Sequence, residues 1–467
     1  MTRASISLAV LVGAAVGAAS AARPAGDPDI YWHLATARDA LAHGLVRADL
    51  FSWTIAGASV STDQWLGQLL FFAAYSADAW SGVVLLRALA VAAIVGLTFA
   101  NASLASRHER PLVALLATVP AILLSRYVWS ERPELLGVAC FAGLLPLLRL
   151  GRSGSDRALA LTVPLLWFWA NVHGSFALGV VLVVLASFEG AWRDRPRRSR
   201  YAIAALAAIV VTLVTPAGFG SWTAPGFHLL NPPRELQEWA VPDVRNGIGS
   251  LFGVTLAVVV AVALFARPLE LREVIVLLPL LLLALTAVRQ TPLFAIAAAP
   301  FLATRTGDAL AALLALARVK LTLSRPPSRP ARGLAAISFA ASAVFVVAAF
   351  VIAPPRPDES LYPVDVLAAL PTGSGLFNNY DWGGWLIWHA PATPVFIDGR
   401  YTPYRCCGVL DDYQTVVGAE PGWREVVARR GVRSILVRPA DPIATRGIES
   451  GWTVLARAPG FVLLRIP

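Results

Sequence analysis

Apolar stretches long enough to cross a lipid bilayer recur along most of this 467-residue chain. Crossing the hydrocarbon core takes about 20 predominantly apolar residues, and every backbone polar group within it must be hydrogen-bonded internally. The sequence therefore predicts an all-α polytopic membrane bundle of about eleven transmembrane helices. These lie near residues 4–22, 82–104, 111–125, 134–150, 158–171, 175–192, 201–215, 250–266, 273–288, 292–304 and 333–353.

Composition and charge support a membrane protein. Hydrophobic residues make up 57% of the chain, charged residues 15%, and the mean hydropathy is +0.64, which exclude an ordinary soluble protein. The net charge of +10 could suggest nucleic acid as a partner, but the basic residues lie largely in short loops between spans. With the N-terminus inside, 19 basic residues fall in cytoplasmic positions and 9 in outer loops before residue 355. This bias predicts an extracytoplasmic C-terminus and no nucleic-acid binding.

The first hydrophobic segment allows two interpretations. Arg3, the apolar run 6–19 and the small residues 18–22 fit a cleavable signal peptide or an uncleaved first span. We favour the uncleaved span because many hydrophobic segments follow. In both cases the next residues emerge on the extracytoplasmic side.

Two carboxylates, Asp27 and Asp29, stand just beyond this segment and precede Tyr31-Trp32-His33. Aspartate favours the first positions of a helix, so the pair could simply cap a helix beginning near Ile30. Two carboxylates at a membrane boundary can also accept a proton or bind a divalent cation through oxygen ligands. The roles could be divided, with one carboxylate capping the helix and the other reacting. We predict both as catalytic residues, and Asp29 as the base.

The rest of the long first outer loop, 23–81, is rich in tryptophan and carboxylates. Trp53 and Trp65 are either interfacial anchors or, beside the carboxylates, a platform on which sugar rings stack. We predict that Trp32 and Trp65 bind substrate. The apolar residues 64–79 contain Gln64, Gln68 and Asp78 and predict an interfacial helix that ends the loop.

Further candidate substrate-binding residues lie in the other outer loops. His173 and Asn171 interrupt two spans, where polar groups are costly unless they serve a site or form a tight turn. Outer arginines either snorkel to headgroups or bind the phosphate of a lipid carrier. The predicted set is Arg126, Arg132, Asn171, His173, Glu238 and Arg289. His173 is also a candidate third ligand for a metal held by Asp27 and Asp29.

The character of the chain changes near residue 355. Short β-like runs, turns and one helix around 423–430 predict a small extracytoplasmic α/β domain at 355–467, following a transmembrane bundle at 1–354. Its densest patches are Asn378 to Trp385 and Phe396 to Tyr401, which are typical of turns and strand ends. No nucleotide-binding glycine motif is present.

Together, these residues resemble the GT-C superfamily of membrane glycosyltransferases, in particular an uncharacterised bacterial branch that is mannosyltransferase-like. The resemblance rests on Asp27 to His33, the Asn171 to Gly174 turn and the Phe396 to Arg400 segment, with a multi-span bundle and a small outer domain. It implies a sugar donor linked to polyprenyl phosphate and a glycan, lipid or protein acceptor. It also implies an outer-loop aspartate as general base and an arginine, Arg289 or Arg126, that steadies the leaving phosphate.

The resemblance leaves the cofactor open, since some members need a divalent cation such as Mg²⁺ or Mn²⁺ and others do not. It implies a multi-pass protein of the bacterial cytoplasmic membrane. Two other functions compete with a hexosyltransferase-type activity. A glycolipid transporter or flippase predicts polar residues at mid-bilayer and paired interrupted helices, neither of which is evident. A non-catalytic cell-envelope assembly protein predicts glycan binding by 355–467 without turnover.

Overall fold

The computed structural model describes residues 3–106, 111–233, 236–266, 268–316, 357–405 and 407–467. The predicted span at 333–353 lies outside the described residues. The chain divides into two compact units. The first unit comprises residues 1–23 and 84–355, and the second comprises residues 24–83 and 356–467. Most of the first outer loop therefore belongs to the same compact unit as the C-terminal region.

The first unit is helical throughout its described part. Its helices are α1 (Arg3–Ala21), the later part of α3 (Trp65–Ala105), α4 (Pro111–Ser125), α5 (Pro133–Arg152), α6 (Asp156–Val172), α7 (Phe176–Arg193), α8 (Arg198–Val211), α9 (Thr223–Leu230), α10 (Gly247–Phe265), α11 (Leu271–Thr286) and α12 (Thr291–Leu316). Every residue from Thr291 to Ala303 is buried, so α12 is central to this unit and packs against α4, α10 and α11. A helix that is apolar on all sides requires such a position.

Small residues bring α1 and α3 close together. A Cβ added at Gly13 would lie 2.4 Å from the carbonyl oxygen of Ala92, and one at Gly17 would lie 2.5 Å from that of Ala88. Glycines spaced four residues apart allow helix backbones to approach in this way within membranes. Beside this contact, the buried Arg87 forms an ion pair with Glu131.

Five helical segments in the described part are long and apolar enough to cross a membrane by length and composition: Trp65–Ala105, Pro111–Val128, Pro133–Arg152, Phe176–Arg193 and Gly247–Phe265. Ile6–Ala21 is a shorter apolar helix. The fold class of a helical membrane bundle with a small C-terminal sheet is confirmed, whereas the number of eleven spans stays a prediction. Within α3, the backbone leaves helical geometry at Asp78 and Ala79. This break lies at the boundary between the predicted helix of 64–79 and the predicted span of 82–104.

The second unit contains a four-stranded sheet surrounded by short helices. Its helices are α2 (Ile30–His43), the start of α3, α13 (Gly383–His389), α14 (Thr402–Arg405), α15 (Val409–Val417), α16 (Trp423–Arg430) and α17 (Pro442–Glu449). The strands are β1 (Leu376–Asn378), β2 (Ser434–Val437), β3 (Thr453–Ala458) and β4 (Phe461–Arg465), in the order β1-β2-β4-β3. β1 pairs with β2 in parallel, and β4 is antiparallel to both β2 and β3.

The first outer loop is built into the core of this unit. Ile55 belongs to the same buried cluster as Phe377 and Phe396. The indole of Trp53 donates to the carbonyl of Leu376 at 3.0 Å. These contacts fix the segment that follows α2 relative to the C-terminal sheet.

Candidate active site

The Asp-Pro-Asp segment begins α2, and its two carboxylates have different surroundings. The backbone N–H of Asp29 donates to Oδ1 of Asp27 at 2.9 Å, forming a local turn. Asp29 occupies the N-cap position of α2, yet its side chain makes no capping hydrogen bond. Asp27 therefore orders the turn, and the Asp29 carboxylate has another orientation. Both residues are partly exposed.

Two glycines of the C-terminal region lie directly against this segment. A Cβ added at Gly399 would lie 1.7 Å from Oδ1 of Asp29, and one at Gly384 would lie 2.6 Å from the carbonyl oxygen of Pro28. Neither distance is compatible with a side chain unless one of the partners moves. The Asp29 carboxylate therefore lies against the backbone of the Phe396 to Arg400 segment, and the structure brings two sequence-predicted motifs together.

The charged residues on either side of Gly399 form a buried network. Arg400 donates through Nε to Oδ1 of Asp398 at 2.7 Å and through Nη2 to Oδ2 at 2.5 Å. Its Nη1 forms an ion pair with Asp49, whose carboxylate also accepts the hydroxyl of Ser52 at 2.6 Å. Tyr404 donates to Oδ2 of Asp398 at 2.5 Å. The network joins the first loop to the C-terminal region on both sides of the glycine that contacts Asp29.

Burial and the neighbouring carboxylates shift the pKa values of Arg400 and Tyr404. Burial alone would lower the pKa of Arg400, but Asp398 and Asp49 raise it well above its usual value. Burial, reinforced by Asp398, raises the pKa of Tyr404 well above its usual value. The raised pKa values favour the charged form of Arg400 and the neutral, donating form of the Tyr404 hydroxyl.

Trp32 and Trp65, both predicted to bind substrate, line one small pocket in the second unit. Its lining also includes Phe51, Gln68 and Arg400. The amide nitrogen of Gln68 lies 3.3 Å from Nδ1 of His33 on α2. The pocket combines aromatic surfaces with a few polar groups.

The first unit contains a second group of the predicted residues. Arg289 donates to Glu134 at 2.6 Å and to Glu238 at 2.8 Å, and its guanidinium lies 4.7 Å from the ring centroid of Trp239. Arg132 lies 3.6 Å from Glu238. Burial alone would lower the pKa of Arg289, but Glu134 and Glu238 raise it. Two arginines and two glutamates make the cluster electrically balanced.

The remaining predicted residues have other surroundings. Asn171 is buried and donates its amide to the carbonyl of Trp167 at 2.8 Å, which favours a structural role. Nδ1 of His173 lies 2.8 Å from the hydroxyl of Ser175 and 3.2 Å from its backbone nitrogen, within the tight turn. Arg126 is exposed on a short 3-10 turn, Arg126–Val128.

The tentative metal site requires three ligands in one place. Among the described residues, no three His, Cys, Asp or Glu side chains come together in a way that could hold a metal ion. Asp27 and Asp29 belong to the second unit, and His173 belongs to the first. The described side chains therefore do not form a three-ligand metal site, and dependence on a divalent cation stays a prediction.

Several residues of these clusters were absent from the predicted site. Residues that touch or adjoin a predicted residue are Gly399, Gly384, Gln68, Glu134 and Trp239. Asp49 contacts Arg400 instead. The sequence singled out the segment Phe396 to Arg400 but assigned no role to it. The sequence signal that could have identified Gly399 is a glycine between two charged residues, because glycine is common where another group approaches the backbone closely.

Comparison with solved structures identifies proteins that have a similar fold. The oligosaccharyltransferase AglB from Archaeoglobus fulgidus, solved with an inhibitory peptide and a dolichol-phosphate, matches with a TM-score of 0.56 and 12% identity over 92% of this chain and 69% of that protein. An Archaeoglobus fulgidus oligosaccharyltransferase tethered to an acceptor peptide gives a TM-score of 0.55 at 12% identity with the same coverage. ArnT from Cupriavidus metallidurans bound to undecaprenyl phosphate matches at a TM-score of 0.50 and 14% identity, over 99% of this chain and 96% of ArnT.

No protein-family model matches the sequence, and no curated protein matches it. The structural matches extend over both compact units, because they cover nine-tenths or more of the chain. AglB and ArnT are membrane glycosyltransferases of the GT-C fold. The resemblance found in the sequence is confirmed at the level of the fold: this chain has the fold of the GT-C membrane glycosyltransferases.

Proposed function

We propose that the protein transfers a sugar from a polyprenyl-phosphate donor to an extracytoplasmic acceptor, with Asp29 as general base. The observation that carries the proposal is the placement of the Asp29 carboxylate against Gly399, with Asp27 rather than Asp29 ordering the turn. Two structural neighbours were solved with polyprenyl-type phosphates, dolichol-phosphate and undecaprenyl phosphate. Their fold supports the same donor class here.

The chemistry follows from a carboxylate held at a fixed position. Asp29 takes the proton of an acceptor hydroxyl while the hydroxyl oxygen bonds to the anomeric carbon of the donor. The bond between that carbon and the phosphate oxygen breaks, and its electron pair leaves with the polyprenyl phosphate. The proton on Asp29 then passes to solvent, which the partial exposure of this residue allows.

The leaving phosphate requires positive charge that is not already neutralised. Arg289 gives most of its hydrogen bonds to Glu134 and Glu238, and a phosphate would face both carboxylates. Arg126 is exposed. We assign phosphate binding to Arg126 and a positioning role to the Arg289 cluster, in a bacterial cytoplasmic membrane with the second unit outside.

The test is a donor-hydrolysis and transfer assay on the full-length protein with a panel of polyprenyl-phosphate hexoses, in which released polyprenyl phosphate is measured by mass spectrometry. Asp29→Asn is expected to reduce release at least about 100-fold, the usual contribution of a general base. Asp27→Asn is the matched control, since its remaining Oδ1 can still accept the N–H of Asp29. Full activity of Asp29→Asn would overturn the assignment. Assays with and without Mg²⁺ or Mn²⁺ decide the cation question.

A further inference from the structure

A small pocket lies one helical turn along α2 from Asp29. Trp32, three residues after Asp29, forms part of its lining, and so does Arg400, which follows the glycine that contacts Asp29. Asp29 is therefore connected to the pocket on two sides, through α2 and through the Phe396 to Arg400 segment.

The charges around the pocket disfavour an anionic occupant. Arg400 is the charged residue of its lining, and Asp398 and Asp49 already accept most of its donors. Together these three groups carry one net negative charge, and Asp29 adds another nearby. A phosphate or carboxylate would be repelled by this surrounding, because it would find no uncompensated cation.

The polar groups that line the pocket suit neutral hydroxyl groups. The side chains of Gln68 and Thr62 supply an amide and a hydroxyl group. Both residues line the pocket. The indole N–H of Trp32 is buried and has no acceptor among the described residues. Leaving such a donor unpaired is costly, which indicates that Trp32 occupies this position for more than packing.

The aromatic residues supply the apolar part of the same surface. Trp65 is partly exposed, whereas Trp32 is 9% exposed. The cavity volume is about 40 Å³, room for a few heavy atoms rather than for a whole sugar ring. An edge of a ring, such as a hydroxymethyl group, fits this volume while the ring face lies on an indole.

We propose that this pocket binds the neutral sugar unit of the acceptor and directs one of its hydroxyls toward Asp29. The inference rests on the proposed function, since it specifies the acceptor of that reaction. It selects an uncharged carbohydrate over a peptide or a phosphorylated lipid headgroup.

Saturation-transfer NMR on the full-length protein in a zwitterionic, sugar-free detergent tests the proposal. The probes are methyl glycosides of glucose, galactose and mannose, compared with methyl glucuronide and methyl glucosaminide. At least one neutral glycoside should bind, and the glucuronide should bind about tenfold more weakly. Trp65→Ala and Gln68→Leu should each weaken binding about tenfold. Trp192→Ala, at an exposed tryptophan of the first unit, is the matched control and should change nothing.

Asp29→Asn separates this inference from the proposed function. It should abolish transfer while leaving the binding of the neutral glycoside intact. If the unmodified protein transfers no sugar, yet Trp65→Ala and Gln68→Leu lose binding of the neutral glycoside, the pocket assignment stands and the proposed function fails. Absence of neutral glycoside binding by the unmodified protein, unchanged binding by Trp65→Ala, or a preference for the glucuronide would overturn the inference.

Discussion

Substitution of Gly399 by alanine should change the position of the proposed base Asp29 while changing the stability of the fold only slightly. The added Cβ would lie 1.7 Å from Oδ1 of Asp29 and 2.8 Å from its Cγ, so the carboxylate would have to move by more than about 1 Å. The atom in the way is the end of a partly exposed side chain, and the protein can relieve the clash by turning it. We therefore expect a loss of unfolding free energy of about 1 kcal/mol, at the lower end for overpacking.

The expected effect on activity is much larger. A displacement of about 1 Å at a reacting group costs up to about 100-fold in rate, which is about 2.7 kcal/mol of transition-state stabilisation. The assay is release of polyprenyl phosphate under kcat conditions, with thermal unfolding in detergent measured on the same samples. Gly460→Ala is the control, because an added Cβ there meets nothing within 4 Å. If Gly399→Ala retained the original rate while Asp29→Asn lost it, the claim that catalysis depends on the exact position of the Asp29 carboxylate would be refuted.

Three further outcomes are expected. Arg400→Met leaves Asp398 and Asp49 buried without their cation, so we expect about 3–5 kcal/mol of destabilisation in denaturant unfolding. A free energy of unfolding equal to that of the original protein would contradict the stabilising role of these ion pairs. Arg87→Met in the first unit should destabilise by a similar amount, and adding Glu131→Gln should recover part of the loss in a double-mutant cycle. Burial lowers the pKa of His389 in the folded protein below 6.5, so the stability contributed by the neutral imidazole is complete above that pH and is lost as the pH falls toward the pKa of the folded state. His389→Phe should therefore flatten the decrease in melting temperature between about pH 7 and 5. An unchanged slope would contradict this assignment.

Features that depend on local sequence could be predicted. Helix positions follow from continuous apolar runs, and α3 breaks at Asp78 and Ala79, beside the predicted boundary, because polar residues interrupt the hydrophobic pattern there. The start of α2 lies where the aspartates predicted it, although the side chain of Asp29 makes no capping hydrogen bond. The fold class also follows, since its hydropathy pattern and motifs are spread along the chain.

The assembly of the candidate site could not be predicted in the same way. Asp29 and Gly399 are 370 residues apart in the chain, and no local pattern indicates that they meet. The bidentate pairing of Arg400 with Asp398 could not be predicted either, because two charged side chains in a turn have many possible partners. Even the grouping of the first outer loop with the C-terminal region arises from scattered contacts, such as that of Trp53 with Leu376. These are properties of the tertiary fold, which a single sequence does not encode in a form that spacing reveals.

The charges of the two units suggest which substrate each one serves. The second unit surrounds Asp29 with carboxylates whose one buried cation is already neutralised, and such surroundings suit a neutral acceptor that must lose a proton. The first unit carries the exposed Arg126 and the balanced Arg289 cluster, so it offers a cation to a phosphate without burying an unpaired charge. A transferase of this kind needs both properties, because proton removal favours negative surroundings and phosphate departure favours positive ones.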